Sequence, residues 1–170
     1  QPAIPVTRLF LVRHALVEPS ARAMLYGALD VALCDTALRE EAALHRWLAR
    51  RLPHPAHWVV SGLSRTRATA AAIFAAGHPA QELAEEPDLA EQHLGEWQGI
   101  PHEALAERLL HAPHPFWPHG AEEKPPGGES FAEVRARVGP LRFARQMLLQ
   151  AVAESAARLD PDRKSTRLNS

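Results

Sequence analysis

The chain has 170 residues, with 19 lysines and arginines against 20 aspartates and glutamates and a formal net charge of -1 at pH 7. This length suits one domain with a hydrophobic core, and the balanced charge argues against a nucleic-acid or anionic-membrane partner. Hydrophobic residues make up 46% of the chain, but no apolar run reaches membrane-spanning length. The single cysteine, Cys34, cannot form an internal disulfide and suits a reducing compartment. We therefore expect a cytoplasmic protein that binds neither nucleic acid nor membrane.

Short apolar runs alternate with helical patterns along the first half of the chain. In chain order the predicted elements are a strand at 8–12, a helix capped by Asp35 or Thr36 that runs to about Leu52, a strand at 57–61, an alanine-rich helix at 64–76 that stops at Gly77, and a weaker strand at 81–85. Residues 8–12 are almost continuously apolar, which is typical of a strand buried on both faces. In the first helix Leu44 and Leu48 lie on one apolar face with Leu52. This alternation indicates an α/β fold with a parallel sheet.

The second half begins with a different composition. Residues 100–128 are rich in proline, histidine and glycine, which is typical of a loop or lid, and one short helix is predicted at 103–110. Ser130 and Glu133 form a capping-box pattern that opens a last helix. Gly139-Pro140 is expected to kink or break that helix, because proline in a helix interior costs about 3 kcal/mol.

Arg13 and His14 follow the first predicted strand directly. Open α/β sheets bind their ligands at the carboxyl ends of parallel strands. A neutral imidazole is nucleophilic near pH 7, and an adjacent guanidinium offers a fork of donors to phosphate oxygens. The pair alone also fits a histidine that merely bonds to backbone at a strand edge.

Arg65 follows the second predicted strand and enters the alanine-rich helix. At a helix N-terminus the free backbone N–H groups and the helix dipole favour an anion. Two arginines at the ends of two parallel strands therefore predict a phosphate clamp. The alternative is that Arg65 and Arg67 are solvated residues of a first helical turn.

A carboxylate is needed to protonate a leaving alkoxide and then to activate water. Partial burial can raise the pKa of one carboxyl group so that it performs both steps. Glu91, close in sequence to Leu89, Leu94 and Trp97, is the candidate, and Glu96 is its rival. The alternative is a surface glutamate beside a core tryptophan.

Three segments, taken in this order, resemble the motifs of the histidine phosphatase superfamily, also called phosphoglycerate mutase-like. They are Arg13-His14-Ala15, Ser61 to Ala70, and Leu89 to Gly99, which correspond to Arg-His-Gly, Ser-x-Leu-x-Arg-x-x-x-Thr-Ala and Leu-x-Glu-x-x-x-Gly-x-Trp-Glu-Gly. Ala15 replaces the usual glycine of the first motif, which small family members tolerate. Residues 26–30 resemble the substrate-contacting Gly-x-x-Asp stretch of the family. Residues 126–130 match the Pro-Gly-Gly-Glu-Ser turn of its small phosphatase members. The resemblance covers about residues 8–149.

This resemblance implies a three-layer αβα fold with a mostly parallel sheet. The implied site consists of a nucleophile, His14; a proton donor, Glu91; phosphate-binding residues, Arg13 and Arg65; and a substrate contact, Gly27. Ser20 stands where many members have a phosphate-contacting asparagine, and its hydroxyl can still donate. The resemblance implies neither a metal nor an organic cofactor, and its implied partner is a small-molecule phosphate ester.

The family also has a second histidine on a later strand, between the strands that end at the first histidine and at the Ser-x-Leu-x-Arg motif. The last histidine in this sequence is His119, before the final predicted helix. Residues 162–170, back-translated as GAT CGG AAG AGC ACA CGT CTG AAC TCC, resemble a sequencing adapter read in frame. We therefore expect residues 1–161 to be a histidine phosphatase domain without its C-terminal strand, residues 162–170 to be non-native, and this polypeptide itself to be inactive. The chain begins at Gln1, which leaves its natural start open.

Several functions stay open within this resemblance. The compact segment before residue 130 and its Pro-Gly-Gly-Glu-Ser turn favour a small hydrolase such as an α-ribazole phosphatase. The alternatives are a phosphoglycerate mutase-type phosphotransferase and an inactive binding or regulatory member. His111, His114 and His119, with Glu122 nearby, are a weaker candidate for a metal site. The sequence does not identify the substrate or the oligomeric state.

Overall fold

A computed structural model describes residues 8–111 and 119–139. In chain order its helices and strands are α1 (Pro19–Arg22), α2 (Asp35–Glu40), α3 (Ala42–Arg51), β1 (Trp58–Val60), α4 (Ser64–Ala75), β2 (Leu83–Glu85) and α5 (Phe131–Val138). Short 3₁₀ turns lie at Pro87–Leu89, Gly95–Trp97, His102–Ala104 and Ala106–Arg108. The chain divides into two compact units, and all of these elements belong to the unit Leu11–Val138. Of the other unit the structure describes residues 8–10 and 139, which form no helix or strand.

The sheet and its crossover confirm the predicted α/β class. Strands β1 and β2 pair in parallel, with Trp58 opposite Leu83 and Val60 opposite Glu85, and α4 connects them. The predictions at 57–61, 64–76 and 81–85 are therefore confirmed. Gly77 follows the end of α4 with φ +116°, a conformation that glycine adopts without steric cost. These are the strands within the described residues, so the three-layer arrangement and the absent histidine strand stay predictions.

The predicted strand at 8–12 is wrong for the described structure. These residues form no strand, and Leu9 is 61% and Leu11 95% exposed. Among the described residues no strand pairs with this segment. Without a neighbouring strand, the backbone has no ladder partner and the apolar side chains have no second layer to pack against.

The helix predicted between residues 35 and 52 is present as two helices. Helix α2 ends at Glu40, and α3 begins one residue after Glu41. The N-cap of α2 is Cys34 rather than Asp35 or Thr36. The predicted leucine face is only partly correct, because Leu44 is 49% exposed and the buried residue of α3 is His45.

The region after residue 100 corrects one helix prediction and confirms another. The predicted helix at 103–110 is two 3₁₀ turns instead. The capping box of α5 is confirmed: the Ser130 N–H donates to Glu133 Oε2 at 2.9 Å, and the Glu133 N–H donates to Ser130 Oγ at 3.2 Å. Helix α5 extends to Val138, and Pro140 lies outside the described residues.

Two small clusters of buried apolar residues lie beside the segments of His14 and Glu91 in the sequence. The first contains Ala15, Val17, Ala21 and Leu33, and it includes the residue next to His14. The second contains Leu94, Trp97 and Leu105, from the segment that follows Glu91. Each cluster therefore anchors one of the segments that carry the predicted chemistry. Within the described ranges, no helix combines the length and apolarity needed to cross a bilayer.

Candidate active site

His14 lies in a loop, and the residue that follows it, Ala15, is buried. Its Nδ1 is 2.7 Å from the carbonyl oxygen of Ala15. Because a carbonyl oxygen only accepts, Nδ1 carries the proton and donates it, and the lone pair lies on Nε2. The Ala15 N–H in turn donates to Thr69 Oγ1 at 2.9 Å. Nε2 is therefore the ring nitrogen whose lone pair is available, as the predicted role of a nucleophile requires.

The surroundings of His14 favour its neutral form. Partial burial is the largest influence and lowers the pKa of His14 below its ordinary value of 6.5. The charges of Arg65 and Arg13 lower this pKa further, while the Ala15 carbonyl and the charge of Glu91 oppose the shift. All three predicted charged partners therefore lie close enough to act on the imidazole. A neutral imidazole is the form that can attack phosphorus.

Arg65 is the second residue of α4, as its motif predicts, and only 1% of it is exposed. Its Nη1 donates to the Leu29 carbonyl at 2.7 Å and its Nη2 to the Gly27 carbonyl at 2.8 Å. The guanidinium carbon lies 5.3 Å from the centre of the Tyr26 ring. Its buried Nε has no hydrogen-bond partner among the described residues. The burial of Arg65 excludes the solvated alternative for this residue, whereas the side chain of Arg67 is 43% exposed and pairs with Glu85 Oε1 at 2.6 Å. The binding of phosphate by Arg65 stays a prediction.

Gly27 belongs to a loop that is tied to the start of α4. It has φ +43°, and a Cβ atom there would lie 2.6 Å from the Gln92 carbonyl oxygen, so only glycine fits. Further along the loop, Asp30 Oδ1 accepts from the Ser64 N–H at 2.8 Å and from Ser64 Oγ at 2.6 Å. The Ser64 hydroxyl also lowers the pKa of Asp30. Gly27 therefore contacts Arg65 and the segment after Glu91, and its contact with substrate stays a prediction.

The structure contradicts the expected partial burial of Glu91, which is exposed. Its Oε1 accepts from the Gln92 N–H at 2.9 Å. Leu94 and Trp97 turn into their own core cluster and so leave the carboxylate outside. The rival, Glu96, is also exposed. Glu91 is the better candidate for the proton donor than Glu96, because the charge of Glu91 acts on the pKa of His14.

The remaining predicted residues lie at the surface. Arg13 is exposed beside His14, where an anion can reach it. Ser20 is exposed on α1, and its hydroxyl makes no hydrogen bond to the other candidate residues in the described ranges. The charges of Arg13, Arg65 and Glu91 thus act on the pKa of His14, and the roles of all these residues and of Ser20 stay predictions.

Thr69 is a site residue whose role the sequence did not reveal. Its buried hydroxyl accepts the Ala15 N–H and donates to the Arg65 carbonyl oxygen at 2.8 Å. One hydroxyl thus links the loop of the nucleophile to the helix of the buried arginine. The available signal was its position one helical turn after Arg65.

The histidine-rich segment gives no metal centre in the described part of the chain. Within residues 8–111 and 119–139, no group of three or more ligating side chains is placed to hold a metal ion. The His119 ring stacks on Phe131 at 4.2 Å between centroids, and its Nδ1 lies 3.0 Å from the Gly120 carbonyl oxygen. His114 lies outside the described residues. A site that works without a metal therefore stays a prediction.

Comparison with known proteins identifies the family. The model of the histidine phosphatase superfamily (branch 1) matches residues 9–146. A glucosyl-3-phosphoglycerate phosphatase of Mycolicibacterium vanbaalenii is 34% identical over 139 residues, which are 80% of this chain and 58% of that protein. A 2,3-bisphosphoglycerate-dependent phosphoglycerate mutase of Chelativorans sp. is 29% identical over 145 residues, which are 85% of this chain and 70% of the mutase.

A solved structure agrees with these relatives. The native structure of a mycobacterial glucosyl-3-phosphoglycerate phosphatase superposes with a TM-score of 0.59 at 26% identity, over 85% of this chain and 63% of that one. The chain thus spans less than two thirds of the length of the phosphatases that it matches. The family match nevertheless includes all four residues gathered at the site, from Arg13 to Glu91. This chain belongs to the histidine phosphatase superfamily.

Proposed function

We propose that this protein hydrolyses a small phosphate monoester through a phosphohistidine at His14. The observation that carries the proposal is the 2.7 Å contact of His14 Nδ1 with the Ala15 carbonyl, which leaves the Nε2 lone pair free. A nucleophile held in this way in its neutral form converts one difficult displacement into two easier ones.

In the first step Nε2 of His14 attacks phosphorus, and the bond from phosphorus to the ester oxygen breaks. The leaving alkoxide takes the proton of Glu91, so an alcohol departs and a phosphohistidine remains. In the second step the Glu91 carboxylate accepts a proton from water, and the water oxygen attacks phosphorus. The phosphorus–nitrogen bond then breaks, its electron pair returns to Nε2, and inorganic phosphate leaves.

The two arginines stabilise the phosphoryl group during both steps. Arg13 is exposed beside the nucleophile, and the buried Arg65 has an unpartnered Nε. Fixed donors of this kind act on charge that develops in the transition state, and removal of one typically costs about 100- to 1000-fold in kcat. No step calls for a metal or an organic cofactor.

The names of the relatives support a phosphate ester of a small metabolite and leave its identity open. Two of the matched proteins are phosphatases of glucosyl-3-phosphoglycerate, and one is a phosphoglycerate mutase. The turn at 126–130 adds α-ribazole phosphate as a candidate substrate, by its resemblance to small phosphatases. Because one relative is a phosphoglycerate mutase, a phosphotransferase is the second candidate function.

One experiment separates these functions. The 170-residue chain, and any longer natural protein that contains residues 1–161, are assayed in ¹⁸O-labelled water with α-ribazole phosphate, glucosyl-3-phosphoglycerate and 3-phosphoglycerate. A hydrolase releases phosphate that carries one ¹⁸O atom. A mutase instead moves the phosphoryl group between hydroxyl groups without this label, and a binding module does neither. The same assay tests the expectation that the 170-residue chain alone is inactive.

A further inference from the structure

We infer that Glu129 and Arg137 form a positioning pair that orients the proton donor Glu91 by holding its main chain. The inference deepens the proposed function and rests on the role of Glu91 in it. Glu129 belongs to the Pro-Gly-Gly-Glu-Ser turn, and Arg137 belongs to the last turn of α5. Neither residue has a part in the chemical steps described above.

The first observation is the set of bonds that Arg137 makes. Its Nε donates to Glu129 Oε1 at 2.7 Å and its Nη2 to Glu129 Oε2 at 3.1 Å, which is the two-pronged geometry of a strong ion pair. Its Nη1 donates to the Asp88 carbonyl at 2.6 Å, and its Nη2 also donates to the Glu91 carbonyl at 3.2 Å. One guanidinium thus joins α5 to both ends of the segment 88–91.

The second observation is that Glu129 holds the two residues after Glu91. Its Oε2 accepts the His93 N–H at 2.9 Å, and its own N–H donates to the His93 carbonyl at 2.8 Å. The amide Nε2 of the buried Gln92 donates to the Glu129 carbonyl at 2.6 Å. Residues 91, 92 and 93 are therefore each hydrogen-bonded to either Glu129 or Arg137.

The exposure of Glu91 explains why such a pair is needed. An exposed carboxylate gains no orientation from packing, and its one described hydrogen bond is to the N–H of the next residue. Its position must therefore come from its backbone. The side chains of Arg137 and Glu129 are 20% and 26% exposed, so solvent screens their ion pair less than it screens a pair on the open surface. The guanidinium of Arg137 also keeps the pKa of Glu129 below its ordinary value.

A defect in the positioning of a proton donor has a distinctive kinetic signature. An alkyl phosphate has a poor leaving group, so breaking its ester bond depends on protonation. p-Nitrophenyl phosphate has a good leaving group, so its hydrolysis depends little on protonation of that group. A displaced donor should therefore lower kcat/KM for the alkyl ester selectively, since this parameter reports the steps up to alcohol release.

The test compares Arg137→Met and Glu129→Gln with the control Lys124→Met, in the form of the protein that shows turnover in the assay above. The control removes another ion pair of α5, in which Lys124 Nζ lies 2.6 Å from Glu133 Oε1. β-Glycerophosphate and p-nitrophenyl phosphate are assayed side by side. We expect each test variant to lose about 10- to 100-fold in kcat/KM on the alkyl ester, which is part of the roughly 100- to 10,000-fold that general acid catalysis contributes, and less than about 3-fold on the aryl ester. We expect the control to lower kcat/KM only slightly, and equally for both substrates.

An equal loss on both substrates, or no loss on either, would overturn the inference. Glu129→Gln preserves shape and serves if Arg137→Met does not fold. The variant Glu91→Gln separates the two levels of the proposal. If Glu91→Gln itself lacks selectivity for the alkyl ester, the proposed role of Glu91 fails, whereas selectivity in Glu91→Gln alone contradicts only the positioning pair.

Discussion

The proposed nucleophile, His14, and the proposed proton donor, Glu91, are held in place by different physical means. The segment of His14 is fixed by buried groups, because the N–H of the core residue Ala15 donates to the buried hydroxyl of Thr69. The segment of Glu91 carries an exposed carboxylate, and its main chain is held by hydrogen bonds to Glu129 and Arg137, which form an ion pair. Burial is costly to disturb and insensitive to salt, whereas a partly exposed ion pair is weakened by salt. We therefore expect substitutions on the nucleophile side to affect folding and chemistry together, and those on the donor side to affect chemistry first.

The largest effect should come from Arg65→Met. The variant removes a phosphate donor and leaves the carbonyl oxygens of Gly27 and Leu29 without their partner. We expect kcat/KM to fall by at least about 100-fold and the free energy of unfolding to fall by about 3 kcal/mol. Phosphatase kinetics and urea denaturation measure the two effects. An unchanged unfolding midpoint would contradict the buried role of this guanidinium.

The next effect should come from Gly27→Ala, which sharpens the comparison because Gly27 contacts both the buried Arg65 and the segment after Glu91. The added Cβ would meet the Gln92 carbonyl oxygen at 2.6 Å, and the backbone has φ +43°. We expect a loss of about 2 kcal/mol of unfolding free energy. Thermal denaturation measures it, and Gly99→Ala is the matched control because Gly99 also has positive φ but no atom lies within 4 Å of its added Cβ. Equal losses in the two variants would show that the contact with Gln92 contributes nothing.

A smaller effect is expected for Thr69→Val, which keeps the shape of the side chain and removes its hydroxyl. The Ala15 N–H then loses its acceptor in a buried place, at a cost of about 1–3 kcal/mol. Amide hydrogen exchange at Ala15 should accelerate, while exchange at Leu38 in α2 should not change. Thr69→Ser retains the hydroxyl and should recover most of the protection. Failure of serine to do so would assign the effect to the methyl group.

The smallest effect is a displacement of the pH profile. The attack needs neutral His14, so kcat/KM should rise with pH through the pKa of this residue, and the midpoint should lie below 6.5. Arg13→Met removes a positive charge that lowers this pKa, so the midpoint should move upward. NMR titration of the His14 imidazole measures the same shift without turnover. A downward movement in Arg13→Met would contradict the electrostatic arrangement.

The sequence predicted the features that depend on local patterns. Strand β1, helix α4 and strand β2 follow from nearby residues, and the Ser130–Glu133 capping box is a spacing within one helical turn. The motifs placed Arg65 at a helix start, but they did not show that its guanidinium turns inward to the loop of Gly27. This hydrogen bond joins residues that are 38 positions apart, so no local sequence pattern indicates it.

The wrong predictions depend on partners that are distant in sequence. An apolar run such as 8–12 becomes a buried strand only where a neighbouring strand pairs with it, and the run itself does not encode that neighbour. The burial of Glu91 was inferred from apolar neighbours, yet Leu94 and Trp97 pack away from its carboxylate. The bond from Arg137 to the Glu91 carbonyl spans 46 positions, so only the fold reveals it.

The central claim is that His14 Nε2 receives the phosphoryl group, and trapping this intermediate tests it most directly. The form of the protein that shows turnover and its His14→Ala variant are mixed with a ³²P-labelled phosphate monoester and quenched in alkali within milliseconds. We expect label on the unmodified protein that is stable in alkali and lost in acid, as phosphohistidine is, mapping to the peptide with His14 and absent from the variant. Rapid turnover without protein-bound label, or label that persists in His14→Ala, would contradict the claim.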